Sequence, residues 1–333
     1  MASAGETHER VARESERRAR LAVPALAGGV LYLLSGIIIT ATVNGAPRVG
    51  VVQGLEPALR GMANPGPSPR AVEVKYISHH AFALIAGSVL AAIAVVALTL
   101  ILVLLFDAAR FRRPESWAAA RPLVIAGGIA LPAVSLAHQV ISALKTHQFA
   151  VGHDFSKHAV DVALTKGGAY TTTNTLGLVA GLALAAGMIA VSLNSMRVGL
   201  LPRWMGMLGI FTGVLLILPL GAVLDVVPAF WMVMMGILFV GRWPNGDPPA
   251  WAAGEARPWP TGAQQRAGRR GERAPEAAGA TAGRGAQDVG TGAGAEGASR
   301  DAAARDTAVA PVPVRPPTAG TSRKRRRKRG ARR

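Results

Sequence analysis

Apolar residues in this chain come in long blocks, without the alternation of a surface strand or the single stripe of a water-soluble helix. Residues 21–43 (LAVPALAGGVLYLLSGIIITATV) form the first block, and 81–106, 122–143 and 174–194 form three more. Each approaches the roughly 20 residues that carry a helix across a hydrocarbon core about 30 Å thick. Within 81–106 the only polar interruptions are Ser88 and Thr99. A helix that is apolar all round is one that meets lipid. The stretch 204–241 is too long for one crossing, since a single helix there would run about 57 Å. Pro219, Gly221, Asp225 and Pro228 cluster near its middle. Pro and Gly break helices and Asp is costly at mid-membrane depth, so the pattern predicts a hairpin of two spans, near 204–221 and 227–241. The expected fold is therefore all-α: a polytopic transmembrane helical bundle of about six spans. The alternative is five spans with a re-entrant segment, which would put the C-terminal tail on the opposite side.

The distribution of charge orients this bundle. Cytoplasmic loops carry an excess of Lys and Arg. The N-terminal residues 1–20 contain Arg10, Arg13, Arg17, Arg18 and Arg20; the 107–121 connection contains Arg110, Arg112, Arg113 and Arg121; the 195–203 connection contains Arg197 and Arg203. The connections at 44–80 and 144–172 are longer and much sparser in Lys and Arg. Six spans put every dense cluster, both termini and the interfacial Trp117, Trp204 and Trp243 on the cytoplasmic side. The first apolar run is about 23 residues, longer than the 7–15 of a signal peptide's core, so it reads as an uncleaved span. Arg17-Arg18 lacks the surroundings of a twin-arginine signal.

Composition divides the chain further. Of a net charge of +18, +11 lies in residues 242–333, which hold 19 Lys and Arg against 8 Asp and Glu. Residues 242–260 (RWPNGDPPAWAAGEARPWP) are rich in Pro and Trp, and Trp251 and Trp259 are placed to rest on the inner interface or to dock a partner. Residues 261–333 hold few large apolar side chains and are expected to form a disordered cytoplasmic tail. It ends in a basic run with Arg323, Lys324, Arg325, Arg326, Arg327, Lys328 and Arg329. Such a run is attracted to anionic lipid headgroups. Nucleic acid is the second candidate partner, without the interleaved aromatics that stack on bases. A plain solvated tail that reinforces topology is the third reading.

Cysteine is absent, which removes disulfides, thiolate metal sites and Cys nucleophiles. The chain has no nucleophile-elbow, P-loop or dinucleotide-binding motif, and nothing in it argues for an enzyme. Arg outnumbers Lys 31 to 6, the bias of a high-GC coding sequence. Chemistry is concentrated in the third span. Ser135, His138, Gln139 and Ser142 stand at i, i+3, i+4 and i+7, on one helical face, with Thr146 continuing the stripe. Pro132 just before them frees the Gly128 carbonyl, so the stripe predicts a polar cavity opening outward. Six of the seven histidines fall on the outer side. Besides His138 and His147, His79 and His80 open the second span, and His153 and His158 lie in the second outer loop with Asp154 and Asp161.

Four readings compete for this set. His79, His80, His138, His153, Asp154, His158 and Asp161 are candidate ligands of zinc or another divalent cation, although no metal-site spacing is present. A haem between His79 or His80 and His138 is a second reading, though no cofactor is strongly implied. Proton or ion handling is a third. In the fourth, His138 and Gln139 bond across helices and the loop histidines are solvated. Thr171–Thr175 read as a helix cap, and Met232, Met234 and Met235 as packing. Gly177/Gly181 and Gly209/Gly213 have the spacing of helix–helix contacts, within one bundle or between copies.

The WP…PPAW…GEA…PWP segment after the last span, followed by a low-complexity basic end, resembles a group of multi-spanning inner-membrane proteins of high-GC bacteria. No activity, substrate or cofactor is assigned to that group. The resemblance implies the bacterial cytoplasmic membrane as the location and carries no catalytic residue.

Overall fold

The computed structural model describes residues 4–50, 61, 67–217, 225–244 and 246–259. The tail beyond 259, with its basic run at 323–329, lies outside the described residues. Among those described, all regular structure is helical: α1 (Ala4–Asn44), α2 (Ala71–His79), α3 (Ala81–Arg112), α4 (Ala120–Val151), α5 (Lys157–Leu164), α6 (Gly168–Val198), α7 (Arg203–Ile217), α8 (Val226–Phe239) and α9 (Pro249–Ala253).

Four helices are long and apolar enough to cross a membrane, those built on α1, α3, α4 and α6. α7 and α8 are apolar but have only 15 and 14 residues, about 22 Å of helix each. The expected turn between them falls at 218–224, outside the described residues. The two run antiparallel, so the chain returns to the end where α7 began.

Neighbouring helices pack antiparallel, and small residues set the spacing. Leu26 of α1 meets Gly236 of α8, and Gly36 further along α1 meets Asp225 at the start of α8. On its other side α1 meets α3, where Ser35 donates to the Gly87 carbonyl at 2.7 Å. A Cβ at Gly127 of α4 would stand 2.5 Å from the Leu184 nitrogen of α6. Gly209 and Gly213 of α7 lie against Ser192, Ala185 and Ile189 of α6, whereas Gly177 and Gly181 make only ordinary contacts. Lipid tails offer no hydrophobic drive for helix association, so dispersion at such close approaches has to supply it. The core runs down the middle of this set, with Leu98, Ile101, Leu105, Leu184, Met188, Trp231, Met232 and Met235 buried.

Two elements differ from the sequence expectation. α1 is one helix of 41 residues, and it includes residues 4–20, which the apolar pattern leaves out. Charged pairs one turn apart support that extension: Glu9 with Arg13 at 3.5 Å, and Glu16 with Arg20. Thr171 and Thr173 do not cap α6, because that helix already starts at Gly168. Their hydroxyls donate back to the Gly167 and Ala169 carbonyls, at 3.2 Å and 2.9 Å.

Candidate functional site

The bundle has two chemically distinct ends. One gathers arginine and tryptophan, the other histidine and the short helices α2 and α5.

At the histidine end, α2 and α5 close over the end of α4. Ala71, Val74, Phe149, Val160 and Ala163 form a small core of their own, with Phe155 packed against it. Ser156 caps α5 by accepting from the Ala159 N–H at 3.2 Å, and Asp154 accepts from the Ser156 N–H at 2.9 Å. That bond holds the Asp154 carboxyl below the usual range, with His158 contributing a little. Lys145 reaches the carbonyl end of α5, donating to Lys166 O and, at 3.3 Å, to Val162 O. A cation there offsets the helix dipole.

The histidines do not converge. His79 and His80 are bonded through Nδ1 to the carbonyls of Lys75 and Tyr76 on their own helix, at 2.8 Å and 2.9 Å. His153, Asp154 and His158 are exposed, and Asp161 pairs with Lys166 at 3.6 Å. Among the described residues no three His, Asp or Glu side chains are placed to share a metal ion. His138 bridges two helices instead. Its Nδ1 lies 3.0 Å from Thr173 Oγ1 of α6, and its ring packs on Tyr170 with centroids 4.5 Å apart. Gln139 and Ser142 beside it are half-buried, and Ser135 is exposed. None of these four lines either of the cavities described at this end.

The larger of those cavities lies between α1, α2 and α3 and has a volume of about 370 Å³. Arg48, Arg70, Glu73 and Thr42 supply its polar lining, over Val43, Ile77 and Leu84. Arg48 donates to Asn44 at 2.8 Å, and Arg70 to Glu73 at 2.9 Å. The Glu73 bond raises the guanidinium of Arg70 above its usual range. A second cavity of about 300 Å³ has Lys145, His153 and Asp154 on its wall. Sequence reasoning missed the α1–α2–α3 cavity, because Arg48 and Arg70 sit in a connection read as sparse in charge.

At the arginine end, residues 242–259 are folded against the bundle. Trp251 is buried and its Nε1 donates to the Leu200 carbonyl at 3.0 Å. The Arg112 side chain is withdrawn from solvent and reaches Glu14 at 2.8 Å and the Ala250 carbonyl at 3.0 Å. Arg18 pairs with Asp247 and lies over the Trp251 ring, 5.4 Å from its centroid. Trp204 stacks on Trp243 at 5.6 Å. Gly199, at φ 85°, ends α6 and lets the Arg257 backbone pass, and the Arg257 N–H donates to Val198 O at 3.1 Å. The segment expected to lie on an interface or hold a partner is thus a clasp that ties α1, α3 and the α6–α7 connection together.

Compared with known proteins, the chain matches no family model, no curated protein and no solved structure.

Proposed function

We propose that this is a protein of the bacterial cytoplasmic membrane, with α7 and α8 as its fifth and sixth crossings and both termini cytoplasmic. We further propose that its outer end binds a small ligand. The segregation of charge supports the orientation, because the arginine-dense connections all meet at the end bearing the clasp.

The observation that carries the binding reading is the cavity between α1, α2 and α3. Two guanidinium groups and one carboxylate stand over an apolar floor. That lining suits a small molecule with an anionic group, a carboxylate or zwitterion of a few carbon atoms. His138 belongs to this reading as a strut between α4 and α6, and the ligand's contacts pass to Arg48 and Arg70. The test is a thermal-shift screen of the purified protein against small carboxylates, amino acids and phosphates, repeated with Arg70→Gln. A stabilising compound whose effect is lost in the variant is the expected result. If no compound shifts the wild-type protein and Arg70→Gln cells grow normally, the reading falls.

Orientation has its own test, made simple by the absence of native cysteine. His153→Cys should react with a membrane-impermeant maleimide on intact cells, and His8→Cys and Ser299→Cys should not. The reverse pattern overturns the topology.

A second reading takes the tail as the working part, binding anionic lipid or nucleic acid. It is favoured by the clasp, whose last described residue, Trp259, packs against the core of the bundle. Deleting residues 261–333 should then abolish function while Arg70→Gln leaves it intact.

A further inference from the structure

A groove of about 210 Å³ runs between the polar extension of α1 and the last turns of α3. Its α1 wall carries Arg10, Arg13 and Arg17, at i, i+3 and i+7 and therefore on one helical face. Leu104, Asp107 and Phe111 of α3 form the opposite wall. We infer that this groove holds one anionic phospholipid, its phosphate on the arginine row and an acyl chain along α3. The placement in the cytoplasmic leaflet rests on the orientation proposed above.

Three observations point to that occupant. First, the acids of the groove are already engaged: Glu14 by Arg112 at 2.8 Å, and Asp107 by Arg121 at 3.2 Å. Arg17 is exposed and has no ion-pair partner among the described residues, so its charge is available to a phosphate. Second, Arg10 is stacked over the Phe111 ring at 5.0 Å, and Arg13 makes an exposed 3.5 Å pair with the Glu9 carboxylate and donates to the Glu9 carbonyl at 3.4 Å. Both guanidinium groups are held beside the groove without being consumed. Third, an exposed apolar row shares the groove's face of α3, with the buried Leu104 between the two. Val89, Ile93, Val96 and Leu100 are 40%, 50%, 48% and 46% exposed and follow one face of α3 toward Asp107 and Phe111. A phosphodiester lipid fits this sequence of charge followed by apolar surface, which a soluble anion would leave half used. Because the chain of any lipid gains little from an apolar track inside a bilayer, the headgroup sets the selectivity.

Native mass spectrometry of the full chain, released from micelles containing equal phosphatidylglycerol and phosphatidylcholine of matched acyl chains, tests this. The wild-type protein should retain one phosphatidylglycerol per chain in preference to phosphatidylcholine. Arg17→Gln should reduce that preference about fivefold, from about one charge's worth of surface attraction, and Arg13→Gln with Arg17→Gln should reduce it further. Arg17 is exposed and has no ion-pair partner among the described residues, so its variant keeps the fold, which an unchanged melting midpoint in neutral detergent would verify. Replacing Arg325, Arg326 and Arg327 by Gln should leave the preference intact.

Equal retention of the two lipids by wild type overturns the inference, as does an unchanged preference in both arginine variants. Loss of preference only in the tail variant assigns the lipid to the tail and also overturns it. A dimer mass that excludes lipid would show that a second copy fills the groove, with the same consequence. Sidedness plays no part in micelles, so failure here leaves the orientation standing, and failed maleimide labelling leaves the groove standing.

Discussion

The two ends of the bundle spend their polar groups in opposite ways. At the histidine end, rich in the residue types that carry chemistry, most side chains bond within their own helix: His79 to Lys75, His80 to Tyr76, Thr146 to Ser142. At the arginine end the bonds leap across the sequence, from Arg112 to Glu14 and Ala250, from Arg18 to Asp247, and from Trp251 to Leu200. The first end is an assembly of locally satisfied pieces, the second a cooperative junction. The residue types that carry chemistry therefore gather where most polar side chains are satisfied locally, with His138 to Thr173 as an exception.

If this contrast is real, the largest loss of stability comes from the clasp. Arg112→Ala strands Glu14 and opens the Ala250 carbonyl, at a cost of about 3 kcal/mol, the low end for breaking a buried pair. A denaturant titration of the detergent-solubilised protein should show it, and an unchanged midpoint would dissolve the distinction between the ends. Gly199→Ala comes next. It places a Cβ against the Arg257 carbonyl at a left-handed φ, for about 2 kcal/mol, and should expose Trp251 to a fluorescence quencher. Trp251→Phe removes one indole donor and leaves Leu200 O unpaired, for about 1 kcal/mol in the same titration. At the other end, Ser156→Ala removes the α5 cap, for about 1 kcal/mol felt locally. Faster amide exchange should be confined to α5 with the global midpoint unmoved, and a global loss would mean that the ends are coupled. His138→Ala is the smallest, about 0.6 kcal/mol for one cross-helix bond in a membrane protein, read from the same denaturant curve.

Much of this architecture was legible in the chain. The apolar blocks located the long helices because a membrane-length helix needs little more than composition. The break of the 204–241 run into two helices was legible from Pro and Asp, while the turn itself, at 218–224, lies outside the described residues. The extension of α1 was missed because its signal is charge spacing, Glu9 to Arg13 and Glu16 to Arg20, and apolarity says nothing about it. The clasp was missed for a similar reason. A Pro-rich segment resembles a linker, and only contact with a distant carbonyl such as Leu200 O reveals Trp251 as core. Six of the seven histidines lie at one end, and the failure of His79 and His80 to converge on a site depends on bonds to their own helix that no spacing displays. The third-span stripe was legible as one face, while the identity of the neighbour it meets, Thr173 and Tyr170, belongs to the packing of α4 on α6.

Helix α1 has one more property. It runs without interruption for 41 residues, about 62 Å. In its N-terminal half Arg18 is held by the clasp, and at its C-terminal end Thr42 and Val43 form a wall of the cavity between α1, α2 and α3. Mechanically it is a rod anchored at its base, with Pro24 as the one residue inside it that weakens its hydrogen-bond ladder. A tilt imposed at Arg18 would have to carry Leu26, Ser35 and Gly36, each seated on α8 or α3, before it reached the cavity wall.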